Sequence, residues 1–212
     1  MKKFLAGLLC FAMLFALVAC GNKAPAETTA PSEDLETPKP IGSVVAALGS
    51  TLFELVYDDE GNALEIKGLN EAGEEIAKEC QKFVGRACVH GIRGIMRYAS
   101  DNNLIGDAKT FSIRIRHGDT LPEDTFLETI VVDTQYLADE ECTGVRMVNL
   151  DATRLTQDGL IDEDTALYMA SLYLQVDVTE LSAAELGEDK VYAITGGDMS
   201  CTVGAVTGYV AP

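Results

Sequence analysis

Tryptophan is absent from this chain of 212 residues, and histidine occurs only as His90 and His117. The first absence removes the largest ring for stacking a planar ligand. The second leaves little for proton transfer near neutral pH, where histidine is the commonest carrier. Nucleophilic hydrolysis needs a base beside the nucleophile, and nothing in the spacing brings a cysteine to either histidine. A non-enzymatic role is therefore expected, with no cofactor. Bases are also scarce. Against 34 acids stand 16 lysines and arginines, a formal charge of −18. That excludes a general nucleic-acid binder, which needs clustered cations to neutralise phosphates. No apolar run after Phe4 to Val18 reaches membrane-spanning length, and there is no tandem repeat.

The Phe4 to Val18 run follows Met1-Lys2-Lys3 and leads into Leu17-Val18-Ala19-Cys20. A short basic start, an apolar centre too short to remain as a spanning helix, and small residues before a cut form a secretory signal. The Leu-Val-Ala-Cys ending resembles the lipobox of bacterial lipoproteins. The resemblance implies that residues 1–19 are removed and that Cys20 becomes the lipid-carrying first residue. The alternative is an uncleaved helix with Cys20 buried in it. Cleavage removes Lys2 and Lys3 and makes the chain two charges more negative. The expected address is the extracytoplasmic face of a bacterial cell membrane, with the lipid as the only hold. Residues 20–42 read as a flexible tether, spaced by Pro25, Pro31, Pro38 and Pro40.

Cys80, Cys88, Cys142 and Cys201 remain in the folded part. An even count outside the cytoplasm permits two disulfides in three pairings. The alternative is four thiols packed as small apolar groups.

Leu52–Tyr57 and Ala63–Leu69, around the acidic turn Asp58-Asp59-Glu60-Gly61-Asn62, predict a β-hairpin. A helix opens at Asn70 with acids in its first turn, and Gly85 breaks it. A second helix spans Arg86 to Ala99, with Val89, Ile92, Ile95, Met96 and Ala99 as its core stripe. Gly91 and Gly94 weaken it, which implies close approach to a sheet. Phe111–Arg116 alternates as a strand. A third helix from Pro122 to Leu137, a strand at Val145–Leu150, a fourth helix at Asp162–Leu174, and strands at Lys190–Thr195 and Ser200–Val206 complete the pattern. The expected class is α+β, with helices on one face of small antiparallel sheets.

Two resemblances divide the folded part. The hairpin, the Leu69-Asn70-Glu71-Ala72-Gly73 string, the helix to Ala99 and the strand after Leu104-Ile105 resemble the extracytoplasmic domain of clostridial-type membrane anti-sigma factors. That family can cleave itself at an Asn-Pro bond. Ser50-Thr51 stands at the matching place, so self-cleavage of that kind is not carried over. Ile161–Ala166, Val191–Ile194 and Cys201–Val210 resemble a divergent PepSY domain, with Gly204 where that family has aspartate. This implies a non-catalytic module that binds or restrains a peptidase. The expected domains are residues 43–155 and 156–212.

The weighed sites are few. Cys80, Cys88 and His90 match no zinc spacing, and no metal is expected. Asp158 cannot belong to an EF-hand loop, since Arg154 and Thr165 would fill its first and last ligand positions. The acidic turn at Asp58 reads as a solvated hairpin turn. Gly42-Ser43-Val44-Val45 is similar to the cleavage string of self-splitting SEA domains, but sits at a tether junction. Charge distribution says more. Lys82 to His117 holds seven bases and two acids, and residues 118–142 hold eight acids and no base. Arg86, His90, Arg93 and Arg97 fall on one helical stripe, and Arg114 and Arg116 on one strand face. These six are candidates for docking an acidic partner or an anionic envelope polymer, against the alternative of pairing with the acidic third helix. The expected function is a lipid-anchored binding or regulatory protein for an envelope peptidase or signalling protein. The alternative is a solute-binding lipoprotein of a transporter.

Overall fold

The computed structural model describes residues 37–212. The signal segment, Cys20 and the tether as far as residue 36 lie outside them. Residues 38–212 form one compact unit of α+β class.

Strands β1 (Gly42–Leu48), β2 (Thr51–Tyr57), β3 (Ala63–Gly68), β4 (Thr110–Ile115) and β5 (Arg146–Asn149) make a sheet in the order β3-β2-β1-β4-β5. Its middle strand, β1, is one that the sequence reading does not assign. Val44, Ala46 and Leu48 enter the main core, while Val45 and Ala47 are buried on the other face. A strand covered on both faces loses apolar–polar alternation and reads as an undivided run. All pairs are antiparallel except β4 and β5, which run parallel. A parallel pair needs a crossover, and helix α3 (Phe126–Glu140) supplies it.

Helices α1 (Glu71–Cys80), α2 (Cys88–Asp101) and α3 share a core with one face of this sheet. Asn70 starts α1 by accepting the Gly73 N–H at 3.0 Å. Helix α2 begins at Cys88, two residues later than the periodicity predicts, because the chain is still extended at Ala87 and the Arg86 carbonyl accepts the Ala63 N–H at 2.8 Å. Gly91 packs against the sheet as its residue type implies: an added Cβ would lie 2.7 Å from Leu55 Cδ2. Gly94 does not. Its space is taken by the Phe83 ring. Helix α3 also starts late, at Phe126, whose ring lies 4.9 Å from that of Tyr57.

The second cluster of buried residues belongs to α4 (Glu163–Leu174) and to a four-stranded sheet, β6 (Ser182–Ala183), β7 (Val191–Gly196), β8 (Met199–Gly204) and β9 (Val210–Ala211). Asp162 caps α4 by accepting the Thr165 N–H at 2.8 Å. Val148 and Leu150 of the β5 segment join this cluster. The first sheet is thus tied to it directly. Ser112 Oγ donates to Gly208 O at 2.9 Å, and Val210 N to Gly49 O at 3.1 Å.

Candidate functional site

On the solvent side of α2, His90, Arg93 and Arg97 follow one another at spacings of three and four. They line one groove of about 230 Å³ with Phe83, Gly94 and Leu137 of α3. Three of the four residues on the helix side predicted from the sequence, His90, Arg93 and Arg97, therefore meet in this groove. Arg86 precedes the helix and is exposed. Arg97 Nε stands 3.6 Å from Glu141 at the end of α3. Pairing with the acidic helix accounts for this one arginine. Among the described residues, no carboxylate forms an ion pair with Arg86, His90 or Arg93. Phe83 and Leu137 add apolar surface between Arg93 and Arg97.

Arg114 and Arg116 share a strand face as expected, but their surroundings differ. Arg116 is exposed and pairs with Glu54. Arg114 is only 3% exposed. Its Nη1 donates to Val206 O at 2.8 Å and its Nε to Ile115 O at 3.3 Å. It is therefore turned inward, away from any docking surface it would share with α2.

The polar centre of that sheet face is Glu54, which the sequence reading does not single out. Its side chain is 2% exposed. Lys67 Nζ lies 2.9 Å away, Ser43 Oγ donates to it at 3.0 Å, and Arg116 completes the set. Ser43 N also donates to Asp119 at 2.8 Å. Burial pushes the Glu54 pKa up, but the hydrogen bonds from Lys67 and Ser43 and the charge of Arg116 outweigh it, leaving Glu54 below its ordinary value. Its bond to Glu54 raises Lys67 in turn. The signal for this network is the cross-strand register, which sets Glu54 opposite Lys67. Ser43, within the Gly-Ser-Val-Val string, is a member of it.

The cysteines form no disulfide among the described residues. Cys80, Cys88 and Cys201 are buried, and burial pushes their thiols up to about 11, 12 and 11. Thiols of that kind are poor nucleophiles. Cys142 is exposed, with φ at 51°. No group of three or more metal-ligating side chains converges among the described residues. The acidic turn uses Asp58 internally: its Oδ1 accepts the N–H of Glu60 at 3.1 Å and of Asn62 at 2.8 Å. No described helix is long and apolar enough to cross a membrane. No protein-family model matches the chain, and no curated protein matches it in sequence.

Proposed function

We propose that this chain is a non-enzymatic binding protein, held on the outer face of a bacterial membrane through lipid on Cys20. Through the cationic side of α2 it docks an acidic partner, a peptidase or signalling protein of the envelope. One observation carries the reading. His90 and Arg93 stand unpaired with any described acid in a groove that also takes in Phe83 and Leu137, on a chain that is otherwise strongly acidic. Local positive charge on such a surface gives orientation and specificity to an encounter. The PepSY-like stretch after residue 160 supports a peptidase as the partner class.

A photo-crosslinking residue placed at position 82 in living cells tests the reading, because the exposed Lys82 side chain lies over the Phe83 ring at the edge of the groove. The expected product is a crosslink to an envelope peptidase or receptor. It should be lost when Arg86, Arg93 and Arg97 are replaced by Gln. A crosslink that survives the triple replacement contradicts docking by charge.

A further inference from the structure

A second groove, of about 290 Å³, lies on the face of the first sheet opposite α2. It runs between β1, β4 and the segment around Leu160 and Val206. Val45, Leu69 and Leu160 give it an apolar lining. Its charged wall is Arg114, Arg116 and Lys190, opposed by Asp158.

Arg114 is the unusual member. Cross-strand register sets Lys67 opposite Glu54, Glu54 opposite Val45, and Val45 opposite Arg114. Glu54 and Arg114 thus stand on strands separated by β1, with Val45 between them. Glu54 is already met by Lys67 and Arg116. Among the described residues, Arg114 forms no ion pair at all, Asp158 included. Two backbone carbonyls satisfy part of its fork. A carbonyl carries no formal charge, and a buried cation is ordinarily compensated by an anion. Arginine stays protonated when buried and presents a planar fork matched to a carboxylate.

We propose that this groove binds a small organic carboxylate, with the acid group on Arg114 and Lys190 and its apolar body over Val45, Leu69 and Leu160. The cations select the charge. The apolar lining selects an organic acid over an inorganic oxyanion, and a groove of about 290 Å³ accommodates a small molecule. This assignment is independent of docking through α2.

The probe is 4-phenylbutanoate, titrated into the full chain, with 4-phenylbutan-1-ol and inorganic phosphate as comparators. The readout is the Arg114 Nε–H resonance. The acid is expected to shift it saturably and the alcohol not at all. Phosphate should bind about tenfold more weakly, because it buries no apolar surface. Lys190 is exposed and has φ at 58°. Lys190→Asn keeps a residue that tolerates that backbone and removes one charge. It should weaken the acid about threefold. Leu160→Ala should weaken the acid and leave phosphate unchanged. An Arg114 resonance unmoved by the acid, an equal response to the alcohol or to phosphate, or unchanged affinity in both variants overturns the assignment.

Discussion

Glu54 holds three donors from three different strands or strand ends, with its own side chain almost wholly out of water. Replacing it with Gln keeps the shape and removes the charge that Lys67 and Arg116 answer. Both partners reach solvent, with side chains 41% and 57% exposed, so they can rehydrate. The expected cost is about 1–3 kcal/mol, the range for losing a charged hydrogen-bond acceptor. Urea unfolding at pH 7 measures it. The pH dependence has a definite sign. A folded-state pKa below the unfolded value of about 4.3 contributes stability above that value, and loses it as pH falls through the folded pKa. The gap between the protein and Glu54→Gln should therefore narrow on acidification below about pH 4. A gap that stays constant to pH 3 contradicts the network.

The same scale governs the thiols. Cys142 should react with iodoacetamide at pH 8 within minutes, because it is exposed. Cys80, Cys88 and Cys201 should react only on unfolding, since burial holds them protonated. Peptide mapping separates the four. Early labelling of Cys88 would show that the core around α2 opens far more readily than its packing implies.

Among the elements, α1 is fixed by one side chain with three bonds. Asn70 Oδ1 accepts the N–H of Gly73 and of Leu52, at 3.0 and 3.2 Å, and its Nδ2 donates to Ser50 O at 2.8 Å. An ordinary cap contributes about 1 kcal/mol. This one also clasps the turn between β1 and β2, so Asn70→Ala should cost about 2–3 kcal/mol. Asn70→Asp keeps the acceptor and should recover most of the loss. Equal losses in the two variants would show that the Nδ2 donor, not the cap, carries the effect. Element boundaries also show what could be read from sequence. The hairpin of β2 and β3, the cap of α1 and the start of α4 carried local signals: alternation, a turn, an Asn or Asp before acids. β1 carried none, because its environment is set by β2, β4 and the layers on both faces. Arg86 fell outside α2 for a similar reason. The bond between its carbonyl and Ala63 joins residues 23 apart in sequence, and no helical period reports such a partner. Arg114 looked like Arg116 in sequence. Only the packing of the chain around Val206 turns one inward and leaves the other out.

At the scale of the whole molecule, the first sheet serves two cores. Its helix face belongs to α1, α2 and α3, while Val148 and Leu150 join the cluster of α4 and the second sheet. Ser112, Arg114 and Gly49 add hydrogen bonds to the chain between Val206 and Val210. Contacts of this kind couple the halves. Hydrogen exchange should report a shared slowest opening for amides of β1 and β7, rather than two separate ones. Opening of β7 at much lower free energy would separate them. The α2 surface faces away from this join, so partner docking leaves it untouched.

Salt dependence tests the account's central claim most directly. The partner captured by crosslinking is titrated against the protein and against the variant with Gln at positions 86, 93 and 97, from 50 to 500 mM NaCl. Charges on exposed side chains are screened within about 10 Å at 0.1 M salt. Affinity for the protein should fall steeply as salt rises, and affinity for the variant should be low and nearly flat. Equal affinities with equal slopes would contradict docking through α2.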